Sequence, residues 1–181
     1  MPVYHFSLTL AGVTSATPNL EQHLFEQGCD DALVCAYNQT VYLEFDREAK
    51  DFSSALLSAV RDCEAAPLQA RVVAADADLV GLSDIAELTG MTRQAIALLK
   101  EGKRGTGNFP SPVQRVKGTS PLWRWADVAA WLADQQRLPP EMAENARQLA
   151  ALNLALQLRA EEQRACAQHW ARKLAALPRT A

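Results

Sequence analysis

Residues 82–100 read LSDIAELTGMTRQAIALLK, which is the pattern of two short helices joined by a tight turn. Gly90 can adopt the positive φ that such a turn needs at little cost. Ala86 offers a small side chain where the helices approach, and Ser83 and Thr92 are suited to cap the first and second helix. Five apolar residues are expected to point inward at helical spacing: Ile85, Leu88, Met91, Ile96 and Leu99. The stretch therefore predicts a helix-turn-helix.

The sequence that follows predicts a wing. Residues 102–108 form a glycine-rich basic loop that is expected to be flexible, and residues 109–113 are expected to enter a strand. Residues 117–120 have turn composition, residues 122–124 return as a strand, and a closing helix begins near Asp127. Three aromatic residues around this junction are expected to form a small core rather than to stack on single-stranded bases: Trp123, Trp125 and Trp131.

Charge is distributed unevenly along the chain. The whole protein carries a formal net charge of −3, but residues 91–124 contain seven cations and one anion, a net charge of +6, which leaves −9 elsewhere. A concentrated basic region indicates a nucleic-acid partner better than the overall isoelectric point does.

This central segment resembles the winged helix-turn-helix that MerR-like regulators and phage excisionases share. The matching residues are Ile85-Ala86-Glu87, Thr89-Gly90, Phe109-Pro110, Pro112-Val113, Trp123-Arg124, Asp127-Val128 and Trp131-Leu132. The resemblance covers about a third of the chain. It implies binding to double-stranded DNA and leaves the regulatory logic open.

The resemblance also implies how DNA would be contacted. The second helix would enter the major groove, with Arg93 and Gln94 at the end that reaches base edges. Arginine bonds guanine and glutamine bonds adenine, each worth ~1–3 kcal/mol of discrimination. Basic side chains of the loop suit phosphates, and those of the wing suit phosphates or the minor groove, although any one of them could instead be a solvated surface cation. The predicted DNA contacts are Thr92, Arg93, Gln94, Ala97, Lys100, Lys103, Arg104, Arg115, Lys117 and Arg124.

Residues 1–76 are predicted to form a βαββαβ unit of the ferredoxin-like kind. Thr17 is expected to cap the first helix, with Pro18 at its first position, and Gly28 to end it. The second helix has an apolar stripe made of Phe52, Ala55, Leu56, Ala59, Val60 and Cys63. Strand-like runs occur at residues 4–10, 32–37, 41–45 and 69–75.

The third segment, residues 139–181, is rich in helix-forming residues. Residues 141–177 contain no glycine or proline and predict one continuous helix, about 55 Å long. A heptad-like register suggests a dimerisation seam, and the alternative is a helix that folds back on its own domains. The seam residues are Met142, Leu149, Leu152, Leu156, Trp170, Leu174 and Leu177.

Motifs of enzymes and metal sites are absent from the sequence. There is no glycine-rich phosphate loop, GxSxG elbow or HExxH motif, and Cys166 with His169 provides too few ligands for a metal. The four cysteines form no CxxC pair and are expected to be buried thiols. No catalytic residue, metal or cofactor is therefore predicted. Because the chain has no run of 18 apolar residues and no signal-peptide pattern, a cytoplasmic location is expected.

Together these patterns predict an α+β protein of three segments: a small α/β unit over residues 1–76, a winged helix-turn-helix over residues 79–138, and a long helix over residues 139–181. The predicted function is that of a dimeric, sequence-specific transcriptional regulator, most simply a repressor. Its N-terminal unit would bind a protein partner or a small-molecule effector. Two alternatives remain open: an antitoxin that binds its own promoter and neutralises a protein, and an excisionase-like factor that bends DNA.

Overall fold

The computed structural model describes residues 1–65 and 67–178, and in these ranges the fold is α+β with seven helices. A four-stranded antiparallel sheet contains β1 Val3–Ala11, β2 Ala32–Tyr37, β3 Thr40–Glu48 and β4 Arg71–Asp76, and a two-stranded sheet pairs β5 Leu79–Val80 with β6 Trp123–Arg124. The helices are α1 Leu20–Glu26, α2 Phe52–Ala65, α3 Leu82–Thr89, α4 Arg93–Lys100, α5 Trp125–Asp134, α6 Pro140–Gln157 and α7 Glu161–Ala175. Over the described ranges, no helix combines the length and apolar character needed to cross a membrane.

The four-stranded sheet has the order β2-β3-β1-β4, and each neighbouring pair of strands is antiparallel. One face of the sheet is buried because alternate residues of the strands are apolar, as Phe6, Leu8 and Leu10 are on β1. All six residues of the predicted apolar stripe on α2 are buried in this core. The predicted strand segments are confirmed, except that β4 begins at Arg71 rather than Gln69.

The predicted start of α1 is wrong. The helix begins at Leu20, after Asn19 in the left-handed conformation, and no side chain caps it. The hydroxyl of Thr17 instead accepts a hydrogen bond from the Thr14 N–H at 2.9 Å, which closes a local turn before the helix. Gly28, at φ +101°, follows the helix as expected.

Two hydrophobic clusters make up the core. The first lies between the four-stranded sheet and helices α1 and α2, and the second surrounds Ile85, Ile96 and Trp123. Helix α6 joins them, because Ala146 is buried in the second cluster whereas Leu149 is buried in the first. The α/β unit and the pair of helices α3 and α4 are therefore packed against a shared helix.

The predicted continuous helix over residues 141–177 is wrong, since residues 158–160 separate α6 from α7. Tertiary contacts explain this break. The guanidinium of Arg159 binds the carboxylate of Glu64 on α2, with an Nη2–Oε2 distance of 3.0 Å, and Ala160 takes an extended conformation. A helix without glycine or proline thus ends where its side chains anchor it to another element.

The break also divides the predicted dimerisation seam. On α6, Leu149 and Leu156 are buried and Leu152 is partly buried within their own chain. This part of the segment therefore packs on its own domains, which was the predicted alternative to a dimerisation seam. Met142 is partly exposed at the start of α6. The remaining seam residues, Trp170, Leu174 and Leu177, stay exposed on α7 or directly after it.

Candidate nucleic-acid interface

Helices α3 and α4 and the turn between them follow the local chemistry of the sequence. Gly90 has φ +66°, and a Cβ there would meet no atom within 4 Å, so the backbone conformation rather than crowding favours glycine. The Thr92 hydroxyl caps α4 by accepting a hydrogen bond from the Ala95 N–H at 3.1 Å. This cap satisfies one of the free N–H groups at the start of the helix.

The predicted cap of α3 is wrong. The helix begins at Leu82, one residue before Ser83, and Gly81 is the N-cap residue. The carboxylate of Asp84 accepts a hydrogen bond from the Gly81 N–H at 2.7 Å and so closes the first turn. Because Gly81 has no side chain, the signal for this helix start is the acid three residues later.

The inward-facing residues of the two helices are largely those predicted. Ile85, Ile96 and Leu99 are fully buried, and Met91 is partly buried. Leu88 is the exception, because it is 36% exposed at the surface of α3. Its side chain lines a cavity together with His5 of β1, so it faces the α/β unit instead of the helix pair.

A polar surface runs along α4. Thr92, Arg93, Gln94 and Lys100 are exposed, and Ala97 is half-buried between them. Helical periodicity sets this arrangement, since the buried positions Ile96 and Leu99 occupy the opposite side. The exposed side carries hydrogen-bond donors and acceptors suited to reading base edges.

Residues 113–122, which contain the predicted wing and are called the wing below, form a loop that is closed by a β-bridge between Gln114 and Leu122. The Gln114 N–H donates to the Leu122 carbonyl at 3.2 Å, and the Leu122 N–H donates back at 3.0 Å. Residues 109–113, predicted as a strand, form no regular strand. The returning strand β6 pairs with β5 instead, through Val80 and Trp123. Strand β5 was not predicted, because two residues are too few to show the alternation of apolar and polar side chains that marks a strand.

The wing brings a second arginine to the start of α4. A groove of about 300 Å³ lies between the start of α3, the start of α4 and the wing. Arg93 of α4 and Arg115 of the wing both line it, together with the hydroxyl residues Ser83, Thr119 and Ser120 and the acidic residue Asp84. The Asp84 carboxylate already accepts a hydrogen bond from the Gly81 N–H. Two guanidinium groups outnumber this one carboxylate, and with the hydroxyl groups they suit a phosphate, which accepts hydrogen bonds from both.

The other predicted contacts are arranged differently. Lys100, Arg104 and Lys117 are exposed. Lys103 is exposed but forms a 2.8 Å ion pair with Glu101, which raises the pKa of the lysine. Lys103 and Arg104 also donate their backbone N–H groups to the carbonyl of Leu98.

Residues 102–108, predicted to be flexible, are anchored to α5. The indole N–H of Trp131 donates to the Gly107 carbonyl at 3.2 Å, and the Thr106 N–H donates to the side chain of Gln135 at 3.3 Å. A Cβ on Gly105 would lie 3.3 Å from the Leu99 side chain. The loop therefore packs on the helical core.

Arg124 belongs to a different part of the surface. It is exposed and lines a separate groove with Gln114 and Leu154 of α6. Burial raises the pKa of Asp78 in the same groove, and the charge of Arg124 partly offsets this effect. The groove shared by Arg93 and Arg115 does not include Arg124.

The tryptophans form a core, as predicted. Trp123 and Trp125 are buried, and the Trp123 indole donates to the Pro110 carbonyl at 2.9 Å. The ring of Phe109 packs edge-on against Trp123 and Trp131, with centroid distances of 6.3 and 5.2 Å. These side chains hold the wing and α5 together.

Arg47, which is buried on β3, was not predicted from the sequence as a functional residue. Its guanidinium binds both carboxylate oxygens of Asp31 at 2.8 Å, Asp62 at 2.8 Å and the Gly28 carbonyl at 2.6 Å. Burial opposes the charge, but the two carboxylates raise the pKa of Arg47 above its ordinary value. Strand alternation could have found this residue, because it follows Val41, Leu43 and Phe45 on the buried face.

A second candidate site lies on the open face of the four-stranded sheet. A groove of about 670 Å³ there is lined by residues of β1, β3, β4 and α6, including Thr9, Tyr42, Glu44, Asp76 and Gln157. Asp76 is exposed as a residue, but partial desolvation of its carboxylate in this groove, followed by the charges of Asp84 and Asp78, raises its pKa. Within the described residues, no group of three or more His, Cys, Asp or Glu side chains could hold a metal ion.

No protein-family model matches the chain, and no curated protein or solved structure is significantly similar to it.

Proposed function

We propose that the protein is a sequence-specific regulator of transcription that acts as a homodimer on double-stranded DNA. In this proposal α4 enters the major groove and Arg93 and Gln94 contact bases, while the wing contacts the backbone or the minor groove. The observation that carries the proposal is the groove shared by Arg93 and Arg115, which lies beside the exposed polar side of α4. A regulator of this kind would act in the cytoplasm.

Charge supports the same orientation on DNA. The region around α4 and the wing carries +6, whereas residues 1–76 contain eleven carboxylates and four cations, a net charge of −7. The acidic α/β unit would be repelled by phosphates and the basic region attracted to them.

The fold also supports the proposal at the level of its parts. We interpret residues 1–76 as a ferredoxin-like unit, because the βαββαβ connection and the order β2-β3-β1-β4 agree with that arrangement. We interpret residues 79–138 as a winged helix-turn-helix, because a capped helix pair is followed by the bridged wing and α5. In this division residues 139–181 form the third segment, which links the other two through α6.

A second candidate function is that of an antitoxin, whose N-terminal unit would neutralise a protein partner. The open sheet face favours it, because its groove is lined by carboxylates and tyrosines and could receive a basic surface. The same groove could hold a small-molecule effector. Co-purification of a stoichiometric partner that dissociates in a Glu44→Lys variant would favour the antitoxin.

Selection of duplexes from a random library, followed by fluorescence anisotropy with excess random competitor, tests the main proposal. The wild-type protein should prefer the selected duplex, and an Arg93→Ala, Gln94→Ala double variant should lose that preference. Each base contact is worth ~1–3 kcal/mol, or about 5- to 150-fold in affinity. Lys50→Ala, which removes an exposed cation from the α/β unit, is the control. Unchanged preference in the double variant would show that α4 does not read the sequence.

A further inference from the structure

Helix α7 stands apart from the rest of the molecule. All of its fifteen residues are exposed, and within α7 none is buried against another element. Isolated helices of this length are marginal in water, because packing normally provides most of their stability. Helix α7 therefore needs a partner to form stably.

An apolar row on α7 indicates where that partner packs. Trp170 is 57% exposed, Leu174 is 62% exposed and Leu177, just beyond the helix, is 61% exposed. Cys166, predicted to be a buried thiol, is exposed one turn before Trp170. At about 100° per residue these four side chains fall on one side of the helix. A row of this kind is the contact surface of a paired helix.

Charged residues on α7 indicate the direction of pairing. Glu161 and Glu162 lie in the first turn, and Arg172 and Lys173 lie in the last turn. Glu162 and Lys173 are eleven residues apart, about three turns, so they flank the apolar row on the same side. The Lys173 ammonium lies 5.3 Å from the centroid of the Trp170 ring, which places it at the border of that row.

We propose that α7 pairs antiparallel with α7 of a second copy of this chain. In an antiparallel pair the same flank of each helix meets, so Glu162 of one copy lies opposite Lys173 of the other, twice in the dimer. In this register Cys166 lies within one residue of the level of Trp170 of the second copy. Leu174 and Leu177 extend to and past the start of the second α7, toward Leu158 of that copy. A parallel pair would separate Glu162 from Lys173 by about three turns and would align the two helix dipoles unfavourably. The charge pattern thus fits a second copy in one orientation.

The pairing of α7 would provide the interface of the homodimer in the proposed function. It rests on the proposed function only for the role of that dimer in DNA binding. Sedimentation equilibrium of the full chain without DNA provides the readout. The wild type should be a dimer, and a Trp170→Glu, Leu174→Glu double variant should be a monomer. Gln168→Glu, on the opposite side of α7, should remain a dimer. A dimeric double variant, or a monomeric wild type, would overturn the inference.

Charge reversal tests the antiparallel direction. Glu162→Lys and Lys173→Glu should each weaken the dimer by about three- to tenfold, because each variant places like charges opposite one another twice. The Glu162→Lys, Lys173→Glu double variant should restore most of the wild-type dimer affinity. Glu161→Lys with Arg172→Glu changes the same turns on the opposite side and should leave the affinity close to wild type.

A double variant that dimerises more weakly than either single variant would refute antiparallel pairing. Because these measurements contain no DNA, a failure of DNA binding would leave their outcome unaffected. Conversely, a wild-type protein that is monomeric and still recognises DNA through α4 would overturn the pairing of α7 but not the recognition of DNA.

Discussion

Substitution of Asn153 by alanine should weaken the attachment of α6 to the edge of the four-stranded sheet and so lower the free energy of unfolding. The side chain of Asn153 on α6 is buried, and its amide donates to the Ala75 carbonyl at 2.7 Å while its oxygen accepts from the Ala75 N–H at 2.8 Å. Strand β4 lies at the edge of the sheet, so this one side chain replaces the strand that would otherwise pair there. Asn153 thereby holds α6, and with it the second hydrophobic cluster around Ile85, Ile96 and Trp123, to the α/β unit.

The expected loss of stability follows from the two hydrogen bonds. Alanine would leave one buried donor and one buried acceptor of Ala75 without partners, each at a cost of about 1–3 kcal/mol. Allowing for some access of water, the free energy of unfolding should fall by about 2–4 kcal/mol. For a chain of this size that corresponds to a decrease in Tm of about 5–15 °C.

Urea denaturation followed by circular dichroism, together with hydrogen exchange of the Ala75 amide, measures the effect. The amide should exchange faster in Asn153→Ala than in the wild type. Gln157→Ala removes an exposed side chain one turn further along α6 and should change stability by less than about 0.5 kcal/mol. If Asn153→Ala is as stable as Gln157→Ala, the attachment of α6 to the sheet edge is refuted.

Two further substitutions have defined outcomes. Arg47→Met leaves Asp31 without its cation and leaves Asp62 with only the exposed Arg61. The substitution should cost about 3–5 kcal/mol in chemical denaturation, and a loss below about 1 kcal/mol would contradict the network. Partial desolvation of the Asp76 carboxylate, and then the charges of two other aspartates, raises its pKa in the folded protein. The wild type should therefore lose stability as pH rises above the ordinary pKa of an aspartate. Asp76→Asn should therefore have a higher Tm than the wild type at pH 7 and the same Tm below about pH 3, and parallel Tm profiles would rule out this origin.

Much of the fold could be predicted because local patterns and tertiary packing agree. The residues of β1 alternate strictly, since one side faces the core and the other side faces solvent. Gly90 and Thr92 have local roles, a positive φ and a helix cap, that need no distant partner. The exposed side of α4 follows from helical periodicity in the same way.

Features that depend on distant residues could not be predicted. The end of α6 is set by the ion pair between Arg159 and Glu64, 95 residues apart, and the sequence around Arg159 has no helix-breaking residue. Likewise, Arg93 and Arg115 share a groove only because the bridge at Gln114 returns the chain toward α3. The sequence predicted both arginines as DNA contacts but gave no signal that they meet.

The salt dependence of duplex binding tests directly whether α4 and the wing bind DNA. The affinity of the wild-type protein for its selected duplex should fall linearly with the logarithm of salt concentration, with a slope of about −0.9 for each phosphate contacted. An Arg115→Ala, Lys117→Ala variant should bind more weakly and should reduce the steepness of that slope by about 1–2. If the wild-type protein binds no duplex even at low salt, the surface formed by α4 and the wing does not bind DNA, and the proposed function is wrong.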